Sequence, residues 1–184
     1  TDYLSGYLSG THQLSPRFYE IAEKVRERRG FHIRSFRSKE ELRAWVPRIG
    51  VVYNEAFVDN WQFCPVTDAE LQVIANRLIA VSDPRLIKLV LKGEEVVGFV
   101  FAFPDISAAI QRTKGRVWPF GWIRLLYEFR HTKWVNFNGT GLLAQHRGVG
   151  ANAVLYMELE NTVRDFGCEH ADVVQIEENN AKSL

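Results

Sequence analysis

Residues 142–154, LLAQHRGVGANAV, place an apolar run, a short charged segment with spaced glycines and a helical pattern in immediate succession. Gly148 and Gly150 let the main chain reach positive φ and approach a ligand closely. The first amides of the helix that follows have no acceptor inside it, and the helix dipole adds partial positive charge at the same point. Arg147 contributes a full charge. The stretch is therefore an anion site, long enough for a diphosphate. His146, in the same loop, is expected to face solvent rather than to act as a base.

Two familiar phosphate loops fit the stretch poorly. A G-x-x-x-x-G-K-[ST] loop requires a Lys and a Ser or Thr that do not stand in place. Residues 148–153, GVGANA, satisfy the dinucleotide pattern G-x-G-x-x-A, with Glu169 at about the distance of a ribose-binding acid. That acid should end the second strand, however, and Glu169 precedes it. The strand feeding the loop carries Asn136, Asn138 and Thr140, whereas a buried parallel strand should be almost wholly apolar. The 34 residues after Gly150 are too few for the remaining β/α units of a dinucleotide fold.

The chain that must position this loop has 184 residues, enough for one domain with a substantial core. Its net charge of +1 predicts neither a nucleic-acid nor a membrane partner. Cys64 and Cys168 offer no disulfide framework or metal spacing and are expected as small buried hydrophobes. No paired histidines suggest a metal. No leader-like or membrane-spanning run is evident, so a cytoplasmic location is expected. Thr1 and the closing EENNAKSL suggest a fragment.

Residues 1–16 read as a short strand and linker. Pro16–Arg29 reads as a helix with Phe18, Ile21, Ala22 and Val25 on its apolar face and Gly30 as its stop. Its KVRERR run is expected as a solvated face. FHIRSF (31–36) alternates like a half-buried strand. Ser38 with Glu41, and Thr67 with Glu70, read as capping boxes. They open one helix to about Phe57 and another with the stripe Leu71, Ile74, Ala75, Leu78 and Ile79, stopped by Asp83-Pro84. Residues 86–91 and 96–103 flank KGEE as a hairpin.

Residues 104–131 interrupt the pattern. Their RVWPFGWIRLLYEFRH core is read as an amphipathic helix packing its aromatics inward, with a substrate lid or an aromatic–basic binding surface as the alternative. WVNFNGTGLL (134–143) sets Val135, Phe137, Gly139, Gly141 and Leu143 against the other five. A helix from about Gly150 to Phe166 and a strand at 171–176 complete the order. The front half should be antiparallel and the back a parallel β-α-β crossover.

Gln145-x-x-Gly148-x-Gly150 resembles the Q/R-x-x-G-x-G/A coenzyme loop of the GNAT N-acetyltransferase superfamily, and the order of elements from Phe31 onward is similar too. The resemblance implies an α+β, three-layer α/β/α fold with a mixed sheet, truncated at its C-terminus. The runs YNEAFVDNWQFCPVTDAE (53–70), FPDI (103–106) and WPFGWIRLL (118–126) resemble the C-terminal half of uncharacterised bacterial proteins built from two tandem GNAT-like halves. On that reading residues 1–30 are a leftover strand, linker and leading helix, and 31–184 form an acyl-CoA-binding domain with an insertion at 104–131.

The resemblance implies acetyl-CoA, or another acyl-CoA, as co-substrate and a primary amine of a small molecule or peptide as acceptor. Leu142, Leu143 and Ala144 would bind the pantetheine arm, with a main-chain amide near Leu143 polarising the thioester. Gln145 belongs to the loop motif. The amides of Arg147, Gly148, Val149, Gly150 and Ala151 would hold the pyrophosphate, and Asn180, or Asn179, would meet the arm from the next strand. Direct attack by the amine needs no nucleophilic Ser or Cys. The Glu that serves many family members as base on the strand before the loop is replaced by Asn136, Asn138 and Thr140, which leaves Glu55, Asp59, Glu177 and Glu178 as the candidate bases by order in the chain. A CoA-binding module without catalysis is the alternative.

Overall fold

The computed structural model describes residues 3–9, 13–60 and 63–177, with side chains excepted at 3–4 and 173–177. Among the described residues, six strands and six α-helices follow one another, beginning with β1 (Tyr3–Ser9), α1 (Pro16–Arg29), β2 (Phe31–Ser35), α2 (Lys39–Phe57) and α3 (Asp68–Val81). Then come β3 (Ile87–Lys92), β4 (Glu95–Pro104), α4 (Ser107–Thr113), α5 (Gly121–His131), β5 (Trp134–Leu142), α6 (Ala151–Asp165) and β6 (His170–Glu177).

Local chemistry sets the helix ends. Ser15 accepts from the Phe18 amide ahead of Pro16, and Gly30 at φ 68° stops α1. Thr67 and Glu70 form the reciprocal box that opens α3. The box expected at α2 is only half made. Ser38 accepts from the Glu41 amide, but the Glu41 carboxylate turns back to the Arg37 amide and pairs with Arg34. The nearby cation outcompetes the cap.

The sheet order is β1-β6-β5-β4-β3-β2, and every pair is antiparallel except β5 with β6. Alternation along β3 shows the layers. Ile87 faces α2 and α3, while Lys88 reaches Glu158 of α6 at 3.8 Å. Buried Leu89, Val97, Phe99, Val135 and Leu155 lie in the main core, and Ala22, Ala153, Val154 and Met157 seal α1 to α6. Thus β1 and α1 share the sheet and helical layer of the rest. Ile21, expected on the inner face of α1, is exposed, because Phe18, Tyr19, Ala22 and Val25 take the side that meets α6.

β5 departs from its expected single alternation. Phe101 pairs with Gly139 but Ala102 pairs with Phe137, so Asn138 is an extra, bulged residue. Adjacent β4 residues face opposite sides of the sheet, so Phe137 and Gly139 do as well. The parallel ladder to β6 stops at Phe137 and Val173, next to the bulge. From Asn138 to Leu142, β5 runs on without β6 beside it.

Candidate functional site

The loop is built where that gap opens. The Leu143 amide donates to Val97 O (2.9 Å), tying the end of β5 to β4. A single 3₁₀ turn, Ala144–His146, follows; His146 N donates to Leu143 O and Arg147 N to Ala144 O. Gly148 (φ 71°) and Gly150 (φ 90°) then swing the chain into α6. A Cβ at Gly148 would meet nothing within 4 Å, so its glycine serves the turn and the open space above it. A Cβ at Gly150 would lie 2.6 Å from Val25 Cγ2, so that glycine also lets α1 close on the loop.

Among the described residues, the amides of Gly148, Val149, Gly150, Ala151 and Asn152 donate to no protein acceptor; the first α6 bonds run from Ala153 and Val154 to Gly150 O. This is a contiguous row of donors at the positive end of a 15-residue helix.

Three expectations for this loop change. The Leu143 amide is spent on Val97, so it cannot polarise a carbonyl. The alternation of an antiparallel ladder instead turns the amides of Leu142 and Thr140 away from β4, toward the gap. The Arg147 side chain is turned toward the protein: its Nε donates to Leu142 O (3.0 Å) and its guanidinium to Ala56 O (2.8 Å). It supplies the partner that a last-turn carbonyl of α2 otherwise lacks, and its own amide is taken by Ala144 O. His146 is buried, edge-on to Phe31 at 5.8 Å, because the 3₁₀ turn folds it under the loop.

Arg147→Ala should therefore act on the fold first. Losing two charge-assisted bonds should cost about 2 kcal/mol in urea denaturation. An unchanged stability with a weakened coenzyme affinity would contradict this structural role.

Glu55 and Asp59 flank Ala56 near the end of α2, and both are exposed. Glu177 ends β6 with its side chain outside those described; Glu178, Asn179 and Asn180 lie outside the described residues. Gln145 and Ala144 are exposed, Val149 is packed on the core, and Leu142 is buried. Cys64 is exposed, against expectation: its neighbours Phe63 and Val66, not the cysteine, turn to α2. Cys168 is half-buried, and burial pushes its thiol up. Among the described residues, no cluster of potential metal ligands occurs.

Sequence reasoning missed two features. Tyr156 on α6 sends its hydroxyl to Thr140 Oγ1 (3.3 Å) beside the gap, a pairing between residues 16 apart that no motif announces. On the other face lies an open, apolar slot of about 250 Å³, with Val46, Leu71, Ala75, Leu78 and Phe101 among its walls and bulged Asn138 at its rim. Ile74 and Leu78, expected inside the α3 stripe, are exposed because they border this slot rather than core. The lining is uncharged; Tyr53, Ser82 and Asn138 are its polar members.

No family model matches the chain. It is 38% identical over 79 residues to the bacterial ceramide synthase of Caulobacter vibrioides, 43% of this chain and 21% of that one. A GCN5-related N-acetyltransferase from Sphaerobacter thermophilus superposes with a TM-score of 0.54 at 16% identity, covering 83% of this chain and 38% of the other. An N-acetyltransferase from Staphylococcus aureus gives 0.54 at 17%, covering 83% and 78%. The chain thus spans about a fifth of its curated relative but most of a small acetyltransferase. With its mixed sheet, its helices on both faces and the gap where β5 leaves β6, the chain has the fold of the GCN5-related N-acetyltransferase (GNAT) superfamily.

Proposed function

We propose that this domain transfers an acyl group from coenzyme A to an amine. The observation that carries the reading is the row of free amides from Gly148 to Asn152 beside the gap between β5 and β6. The row suits a pyrophosphate, and the gap suits an extended pantetheine arm. The amine attacks the thioester carbonyl; the C–N bond forms, the C–S bond breaks and the thiolate takes up a proton. The gap-facing amide of Leu142 or Thr140 is the candidate donor to the developing oxyanion.

Acetyl-CoA is the simplest donor on this reading. The slot argues for a longer hydrocarbon chain on one of the two substrates. It ends at Asn138, the residue at which β5 leaves β6. At ~30 Å³ per water-sized group, its volume corresponds to about eight such groups. The name ceramide synthase, borne by the Caulobacter relative, describes N-acylation of a long-chain amine.

The test is coenzyme A release by the full-length protein with acetyl- and long-chain acyl-CoA, each against short- and long-chain amines. Each buried methylene should raise kcat/KM about fourfold until the slot is full. Ala75→Phe should erase that gain and leave short substrates unaffected. Equal rates for all chain lengths would remove the slot from the reaction. Saturable coenzyme binding without turnover would favour a binding module, a reading supported by the uncharged slot and the exposure of Glu55 and Asp59. Absence of coenzyme binding would overturn both.

A further inference from the structure

The insertion between β4 and β5 folds as a finger of two helices whose outer side is exposed among the described residues. α4 and α5 are held together locally. Gly115 N donates to Ile110 O (3.0 Å), Trp122 N to Val117 O (2.9 Å), and Arg112 pairs with Glu128 at 3.5 Å. Gly121 packs so tightly on Arg116 O that a Cβ there would come within 2.0 Å. The finger is thus a built element. Its aromatics nevertheless do not enter the core, contrary to the expectation from sequence, and α5 contains no buried residue.

At the tip, Trp118 is 82% exposed and Phe120 72%. Trp122, Ile123, Leu126 and Tyr127 continue the surface along α5 at helical spacing, all exposed. Leu125 and Phe129 use the opposite, half-buried face. A single surface aromatic is ordinary; a continuous stripe of this kind marks an interaction site.

The charge of the finger is as uneven as its polarity. Residues 107–131 hold five Lys and Arg against one acid, Glu128, in a chain whose net charge is +1. Among the described residues, Lys114, Arg116, Arg124 and Arg130 form no ion pair. The sequence-level expectation of no membrane partner averaged this local field away.

Exposed Trp and Phe beside aliphatic side chains, flanked by unpaired cations, are what a bilayer interface selects. Indole rings sit at headgroup level, and cations meet lipid phosphates. A single-stranded nucleic acid would use the aromatics and cations but has no use for Ile123 and Leu126. Among the described residues, no helix is long and apolar enough to cross a membrane. We propose that the α4–α5 finger anchors the protein on the surface of an anionic bilayer, with Trp118, Phe120 and Trp122 entering the headgroup layer and Arg116, Arg124 and Arg130 on its phosphates. This inference stands independently of what the glycine loop holds.

The test is flotation of the full-length protein with vesicles of phosphatidylcholine, alone or with phosphatidylglycerol added. Wild type should float with the anionic vesicles and be released by salt. The triple change Trp118→Ser, Phe120→Ser, Trp122→Ser should weaken association by about tenfold or more. Arg116→Gln or Arg124→Gln should each weaken it about fivefold. Because these side chains are exposed, the thermal midpoint should hold. Three results would overturn the proposal: no flotation of the wild type, flotation of the triple variant at wild-type levels, or a triple variant with an altered oligomeric state or a midpoint lowered by several degrees. The last would mean that protein, not lipid, covers the stripe.

Discussion

Gly148→Glu should abolish coenzyme A binding and leave a folded protein. The new side chain has room, since nothing lies within 4 Å of the position its Cβ would take. The cost to the fold is that of a non-glycine residue at φ 71°, about 1–2 kcal/mol. That corresponds to a fall in thermal midpoint of about 2–8 °C. The cost to the ligand is larger. A carboxylate beside the free amides of residues 148–152 would take the donors meant for a pyrophosphate and repel its charge. Like-charge juxtaposition costs several kcal/mol, so affinity should drop by roughly two orders of magnitude or more. Gly148→Ala carries the same backbone strain without the charge and separates the two effects. Titration calorimetry decides the matter: if Gly148→Glu binds coenzyme A as wild type does, the amide row is not the phosphate site.

Phe99→Ala should be the most damaging core substitution near the site. Phe99 is fully buried on β4 and stacks on Phe101 with centroids 4.4 Å apart. Tyr53 and Phe57 of α2 close over it at 6.0 Å each. Gly141 on the neighbouring strand leaves space for its ring; a Cβ there would come within 2.5 Å of Phe99 Cζ. Truncation empties a space that three other rings cannot fill without leaving their own partners. We expect a loss of about 3–5 kcal/mol in urea denaturation, a large share of the ~5–15 kcal/mol that holds a typical domain. Phe99→Leu should recover much of it. A loss below about 1 kcal/mol for Phe99→Ala would mean that α2 can settle onto the sheet, contrary to the close packing described here.

What could be read from the sequence was what is written locally. Ser15-Pro16, Gly30 and the Thr67–Glu70 box mark helix ends through neighbours three or four residues away, so their spacing is legible. The glycine loop was legible for the same reason. The structural role of Arg147 left no local trace because its partner, Ala56 O, lies 91 residues away. The bulge at Asn138 was invisible because WVNFNGTGLL alternates acceptably without it; only the pairing with β4 reveals the change of phase. In α5, both faces are apolar, and periodicity cannot tell which stripe is covered. The structure leaves Trp118, Phe120 and Trp122 all in the open.

Among the described residues, the first strand, β1, and the last, β6, are neighbours, and this has a bearing on how the chain reaches its native state. The Tyr7 hydroxyl meets His170 Nδ1 at 2.7 Å, although 163 residues separate them. β1 pairs along β6, which in turn pairs with β5. During synthesis, β1 emerges well before β6 and waits for the helices and strands between them before it has that partner. Closing so long a loop is entropically costly and slow relative to hairpins such as β3–β4. Until it closes, β6 presents a bare edge of unpaired main-chain groups, the kind of template on which a second chain can pair. Docking of β1 is then the late step of folding, and the interval before it is when this protein is most open to aggregation.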